Sequence, residues 1–443
     1  MKIIFLSGGS GKRLWPLSND TRSKQFLKLL TAPNGEKESM VQRNVRQLKE
    51  SGINADIIFA TSKNQVDAIR SQFGDSVEIV IEPSRRDTFP AIALASTYLT
   101  KQKNTDPNEV VVVMPCDQYT EINYFNVVAI MADALLEHKP EMVLMGITPT
   151  EPSSQYGYIL PEKPGSFFVN TFIEKPDRER ANSLIEQGAM WNGGVFAFKL
   201  GWIQAIVDSY LKTPDFDSFI DKFDSLPKRS FDYEVVEKAR HIGVCPFSGV
   251  WRDLGTWDAL TSQLPELILG NGIVNKSVNT TIVNELNTPI VCHGVDNLII
   301  AASYDGILVS HKKDSGEIKS VVSSLDNRPM YEERRWGSYK VVDTIEFPDG
   351  HKALTKQLTL NPGKSISYQR HNHRSEIWSF IDGKGEIVLD GQKRTVSRGD
   401  VINIAPTQMH ALRAITPLTF IEVQAGTLLV EEDIERFPYN WDE

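Results

Sequence analysis

The sequence predicts an α/β domain with a mostly parallel sheet, then a short all-β connecting segment, then an all-β barrel or sandwich. Three observations predict this. Short apolar runs alternate with amphipathic segments up to about residue 264. Short β-branched runs broken by Asn, Gly and Asp follow. From Trp336 onward, turn signals recur with no helical stretch between them. The boundaries read as 1–264, 265–330 and 331–443.

The first strand is Ile3-Ile4-Phe5-Leu6, and similar runs stand at 57–60, 77–81, 110–114 and 142–145. Continuous apolar runs of this length suit strands covered on both faces. Helical patterns at 40–50, 64–73, 90–101 and 124–138 separate them, so right-handed crossovers are expected to build an open sheet. Ligands of such sheets bind beyond the carboxyl ends of the strands. Ser7 to Arg13 and Met114-Pro115-Cys116-Asp117 fall there. In the connecting segment, 281–283, 290–291, 298–300 and 307–309 read as short strands, and the charged stretch 326–335 as a linker. Turns at 348–350, 361–363, 382–383, 390–391 and 398–400 punctuate the last part.

Composition narrows the function. Lys plus Arg number 48 against 57 Asp plus Glu, a net charge of −9, so no nucleic-acid partner is expected. Compact anions such as sugar phosphates need only a local cationic pocket. No apolar run approaches the roughly eighteen residues of a membrane span, so no membrane partner is expected. Cys116, Cys245 and Cys292 form no CxxC pair, which fits a reducing cytosol; a cytoplasmic protein is expected.

Ser7-Gly8-Gly9-Ser10-Gly11-Lys12-Arg13 is a Gly-rich loop followed by two cations. Glycines let backbone N–H groups approach phosphate oxygens closely. The spacing is neither that of a P-loop nor that of a dinucleotide fingerprint, so by itself it says anion binding. The extended motif GGSGKRLWPLS with Lys24-Gln25-Phe26 resembles the signature of sugar-1-phosphate nucleotidyltransferases, in particular mannose-1-phosphate guanylyltransferases. The resemblance continues in order. It runs through Glu82-Pro83-Ser84-Arg85-Arg86-Asp87-Thr88, Cys116-Asp117, Tyr156-Gly157, Glu174-Lys175-Pro176, Trp191-Asn192-Gly193-Gly194, Phe231-Asp232-Tyr233 and Trp251-Arg252-Asp253.

This resemblance implies a Rossmann-like nucleotidyltransferase domain that forms GDP-mannose and pyrophosphate from mannose-1-phosphate and GTP. It implies catalytic roles for Arg13, Lys24, Asp117 and Asp253, with Mg²⁺ on the two aspartates. Nucleotide contacts are expected from Leu6, Ser7, Gly8, Gly9, Gly11, Lys12, Arg13, Glu82, Arg86, Thr88 and Asp117, and sugar-phosphate contacts from Gly157, Glu174, Lys175, Asn192 and Gly193. A homo-oligomer, a dimer, is expected. Departures from the family pattern at Asp87 and Phe89 lie in the expected nucleoside segment. They leave open a transferase for another base or sugar with a non-catalytic C-terminal domain. A non-catalytic nucleotide-sugar sensor is the reading from a different class.

In the last domain, Gln369 to Glu376 sits on a strand and His410 follows another. Alternate strand residues share a face, so Gln369, His371 and His373 are expected together in the barrel interior. With Glu376 and His410 they offer the mixed donors that Zn²⁺ or another divalent ion accepts. The Q-x-H-x-H-R-x-E-x-W pattern resembles the cupin of bifunctional mannose-6-phosphate isomerase/mannose-1-phosphate guanylyltransferases. Two ligand sets fit: His371, His373, Glu376 and His410, or Gln369, His371, Glu376 and His410. Departures include Ile377 where the family has His, Thr407 in a segment lacking the family's glycine, and Ala411 in place of Arg. A working isomerase and a structural cupin both remain open at this point.

Overall fold

The computed structural model describes residues 1–9, 12–325, 328–430 and 432–442. The candidate Gly11 lies outside the described residues, as does the start of the 326–335 stretch. Two compact units emerge. One comprises 1–14, 23–66 and 75–265; the other comprises 15–22, 67–74 and 266–443.

The first unit is built on a nine-stranded sheet. Its parallel half runs Val110–Pro115, Lys2–Leu6, Asp56–Ser62, Glu78–Glu82; the first three are largely buried, as their uninterrupted apolar runs require, whereas Glu78–Glu82 is an edge strand that leaves Ile81 exposed. Thr88–Thr97 covers one face and is buried along its whole length, which is why it shows no amphipathic stripe. Met40–Glu50 starts in a capping box, with the Ser39 side chain accepting from Gln42 N and Gln42 accepting from Ser39 N. The expectation of a mostly parallel sheet holds for this half. Met190–Lys199 then runs antiparallel between Val110–Pro115 and Met142–Ile147. Its pairing with Met142–Ile147 is irregular between Asn192 and Phe196, where Gly193 and Gly194 interrupt it. No helix among the described residues is long and apolar enough to cross a membrane.

The second unit contains the connecting segment and the barrel. In the connecting segment, Ile268–Leu269, Thr281–Asn284 and Leu298–Ser303 lie parallel, with Gly306–His311 closing the sheet antiparallel. Residues 15–22 dock here: Ser303 Oγ donates to Pro16 O, and Arg22 makes two 2.8 Å contacts to Glu285. A Cβ on Gly306 would stand 2.6 Å from the Trp15 ring, so only glycine fits beside it. The barrel is a six-stranded sheet facing a five-stranded one. Part of the charged stretch read as a linker is instead the edge strand Tyr331–Arg334 of the larger sheet, its Glu332 buried under Tyr339.

Candidate active site

The nucleotide end begins with the turn after Lys2–Leu6. Gln25 donates to Ser7 O at 3.0 Å, and Gln65 to Gly9 O at 3.0 Å. The Ser23 hydroxyl donates to Gly9 O at 3.2 Å and accepts from Gln65. These three side chains hold the loop's carbonyls on the protein side. Beside the loop, a Cβ on Gly8 would meet Glu82 Oε1 at 2.8 Å, so the bare glycine admits the carboxylate. Glu82 is buried, and desolvation raises it to about 7 against the pull of Arg85.

A cavity of about 440 Å³ opens here, lined at this end by Leu6, Gly8, Gly9, Glu82, Arg86 and Thr88. Arg86 is tied by Nη2 to Leu226 O and Thr88 by its hydroxyl to Phe231 N. Asp87 is the N-cap of Thr88–Thr97, accepting from Thr88 N, and Phe89 is fully buried in the core. Phe89 therefore packs behind the cavity wall, whereas Asp87, exposed at the start of its helix, lines the cavity.

Asp117 and Asp253 arrive from opposite directions. Gln118–Thr120 and Trp251–Asp253 pair antiparallel, bringing the two strand ends together. Lys24 Nζ lies 2.9 Å from Asp117 Oδ2 and 2.7 Å from Asp253 Oδ1. Burial alone would lower the Lys24 pKa, but the two carboxylates raise it. Asp117 is lowered: burial opposes this, and Lys24 with Arg13 outweighs it. Gly255 is needed beside the pair, because a Cβ there would stand 2.9 Å from Asp253 Oδ1. Two carboxylates able to face one cation at these distances are hard oxygen donors of the kind Mg²⁺ takes. Arg13 is exposed, and neither it nor Lys12 lines the cavity.

At the opposite end, Gly157, Glu174, Lys175, Asn192 and Gly193 all line the same cavity. Lys175 has φ 46° and holds Glu174 at 3.0 Å. Asn192 donates to Asp232 at 2.7 Å and accepts from Gly194 N. Asp232 is pushed up to about 6 by burial and by the Glu174 charge. Tyr156, Trp191 and Trp251 pack as an aromatic wall, Trp191 tilted and Trp251 edge-on to Tyr156 with ring centroids 5.0 and 5.2 Å from it.

The barrel holds a second polar cluster. One ligand atom each of His371, Glu376 and His410 lies within 4.8 Å of the others, all buried. His371 Nδ1 faces Asp433 O and His410 Nδ1 faces Gln408 O, so both Nε2 atoms are turned toward Glu376. Burial lowers both imidazoles, His371 to about 4. His410 Nε2 is buried with no hydrogen-bond partner. Gln369 is 3.4 Å from His371 Nε2, and Arg374 bridges His371 and Glu376 at 3.2 and 2.9 Å. His373 does not join them. The strand Ser365–Arg370 ends before it, so alternation fails, and His373 is more than half exposed beside Asp433. Of the two sets, the donors gathered here are Gln369, His371, Glu376 and His410. Ile377 points outward, exposed, and has no place in the cluster.

Comparison with known proteins agrees with the geometry. Residues 2–268 match the nucleotidyl transferase family, and residues 326–439 match the family described as mannose-6-phosphate isomerase C-terminal. The chain belongs to the nucleotidyl transferase family. The alginate biosynthesis protein AlgA of Pseudomonas putida is 31% identical across 98% of this chain and 95% of its own. The mannose-1-phosphate guanylyltransferase RfbM of Salmonella typhimurium is 30% identical over 98% and 96%. The crystal structure of mannose-1-phosphate geranyltransferase from Thermus thermophilus superposes with TM-score 0.61 at 27% identity, covering 74% of this chain and 99% of that one. This nucleotidyl transferase is thus of the two-part type, with an isomerase-like cupin after the transferase.

Within the family fold, sequence reading missed several cavity residues. Arg85, Gln118, Gln155 and Tyr156 also line it, with Asp232 and Trp251. Asp232 had a signal: it stands in the quoted Phe231-Asp232-Tyr233 motif. Gln65, which braces the loop from a separate segment, had none.

Proposed function

We propose that the chain joins GTP and mannose-1-phosphate into GDP-mannose with release of pyrophosphate. The observation that carries this reading is the pair Asp117 and Asp253 on one lysine, with Asp253 lining a cavity that has a glycine turn and a buried Glu82 on one side and Glu174, Asn192 and Asp232 on the other. The sugar-phosphate oxygen attacks the α-phosphorus, a new P–O bond forms, and the bond to the β-phosphate oxygen breaks in line. No protein nucleophile is required; positioning and charge carry the acceleration. Asp117 and Asp253 would hold Mg²⁺, which supplies positive charge against the phosphate oxygens. Lys24 sits where it can turn from the carboxylates to the triphosphate. Lys175, held by Glu174, meets the incoming phosphate.

Glu82 supports guanine. The guanine edge offers two neighbouring donors, N1–H and N2–H, which a carboxylate accepts together; adenine and the pyrimidines offer no such pair. The departure at Phe89 loses its weight here, because it lies in the core, whereas Asp87 lines the cavity and its effect is tested by a substrate panel.

A panel of four nucleoside triphosphates against several sugar-1-phosphates, read by pyrophosphate release, tests the assignment. GTP with mannose-1-phosphate should turn over fastest; preference for another pair would refute it. Asp117→Asn and Asp253→Asn should each slow transfer about a hundredfold or more while leaving the circular dichroism spectrum unchanged. Wild-type turnover in either would reject the metal role.

For the barrel, the partnerless His410 Nε2 aimed at Glu376 favours a divalent ion on Gln369, His371, Glu376 and His410. Such an ion polarises sugar oxygens, which suits interconversion of mannose-6-phosphate and fructose-6-phosphate.

A further inference from the structure

Lys24 is tied to two places at once. Its backbone is fastened on both sides to the glycine turn, because the Ser23 hydroxyl donates to Gly9 O and Gln25 donates to Ser7 O. Its ammonium reaches the aspartates, 2.9 Å from Asp117 Oδ2 and 2.7 Å from Asp253 Oδ1. Gly255 leaves room for this seat: a Cβ there would stand 3.2 Å from Lys24 Nζ as well as 2.9 Å from Asp253 Oδ1. The lysine side chain is 16% exposed and the carboxylates 30% and 34%, so water screens these charges only in part.

A divalent ion on Asp117 and Asp253 competes for the oxygens that the ammonium holds. Mg²⁺ stands about 2.1 Å from each oxygen it takes. An ammonium hydrogen-bonded to an oxygen shared with the ion lies within about 5 Å of it. At that separation the two cations repel strongly enough to change an affinity by roughly tenfold or more. We propose that Lys24 and the divalent ion exchange places. In the nucleotide-free chain the lysine occupies the carboxylate pair and keeps the ion out; a triphosphate then draws the ammonium away and the pair passes to the metal. This rests on the reading of Asp117 and Asp253 as the metal pair. Charge favours the exchange in both states. The ammonium offsets one of the two carboxylate charges, and Mg²⁺ in its place offsets both. The displaced ammonium meets the triphosphate without travelling far, because its stem is anchored at the glycine turn and its four methylenes are flexible. The consequence is an order of binding, with the ion entering with the nucleotide or after it.

Mn²⁺ takes the same oxygen donors as Mg²⁺, and its free fraction is counted by paramagnetic resonance, so it tests the exchange with no substrate present. Lys24→Gln should bind Mn²⁺ roughly tenfold to a hundredfold more tightly than the wild type, although it transfers more slowly. Lys24→Arg, which keeps the cation, should bind as weakly as the wild type. A lysine that only braced the fold would have the opposite effect, since a loosened pair of carboxylates holds an ion less well. Should Lys24→Gln fail to fold, Lys24→Met, with a stem of similar length, replaces it. An independent comparison needs no change at Lys24: without nucleotide, the wild type and Asp117→Asn should bind Mn²⁺ almost equally. A wild type that binds at least about tenfold more tightly than Asp117→Asn overturns the proposal. So does a Lys24→Gln that gains nothing while Asp117→Asn still loses transfer, in which case the metal reading stands without the exchange. If Lys24→Gln gains affinity and K24Q/D117N keeps the gain, the ion sits elsewhere, and the proposal falls together with the metal reading.

Discussion

Glu82 shows how one buried carboxylate trades stability for recognition. Its pKa is raised from 4.5 to about 7, so the unfolded chain releases a proton that the folded chain keeps. The sign follows: Glu82 costs nothing below about pH 4.5, and its penalty grows as pH rises toward 7 and persists above it. Glu82→Gln should therefore stabilise the fold at pH 8 by about 2 kcal/mol, measured by urea denaturation, and show little gain at pH 4.5. Guanine needs the ionised form. The KM for GTP of the wild type should rise as pH falls below 7, while Glu82→Gln loses that dependence together with base preference; an unchanged preference would remove Glu82 from recognition. Thr407 shows the opposite economy. Its φ of 67° puts a β-branched residue in the left-handed region, in the segment where the family's glycine is missing. Thr407→Gly should raise stability by about 1 kcal/mol, less the extra chain entropy of glycine, read as a higher Tm.

Elements explain which of these residues the sequence could reveal. Strand, turn and strand-end aspartate were legible because continuous apolar runs followed by glycine or Asp have one common solution, a covered strand feeding a ligand-facing loop. Lys12 and Arg13 were expected on the nucleotide, but the short 3₁₀ turn Lys12–Leu14 leaves Arg13 exposed and acting on Asp117 only through its charge. His373 was misplaced because alternation was extended past the end of its strand. The antiparallel insertion of Met190–Lys199 was invisible, since pairing partners distant in sequence leave no local period. That insertion matters, because it carries Asn192 to Asp232 and sets Gly157 against Glu174. A Cβ at Gly157 would lie 2.5 Å from Glu174 Oε2 and 2.9 Å from Phe172 Cζ. Gly157→Ala should therefore displace Glu174 and raise the KM for mannose-1-phosphate roughly tenfold to a hundredfold, with the KM for GTP little changed. Equal effects on both substrates would mean that the strand, not the sugar pocket, was damaged.

At the scale of the molecule, two units solve the same problem of burying charge in different ways. The transferase places Asp253 in the wall of a cavity and Asp117 behind it, with Lys24 between the two carboxylates. The barrel encloses its charges completely: Glu422 is pushed up to about 7 by burial and by the Glu376 charge, and Lys356 down to about 8 by burial. Such an interior would be a poor choice for stability alone, since buried charges seldom repay their desolvation. It is economical if the cluster serves a ligand. A structural barrel should only lose stability when Glu376 is neutralised, because Arg374 is left buried without its carboxylate, whereas a metal site should also lose bound metal. Glu376→Gln should thus lower the divalent metal retained after dialysis, counted by elemental analysis, and abolish mannose-6-phosphate isomerisation. Transfer from GTP should continue at the wild-type rate, because every residue assigned to it lies in the other unit. If Glu376→Gln retains full metal and isomerase activity, the barrel's donors do not form the site. If wild type holds no metal and Glu376→Gln is only less stable, the barrel is structural.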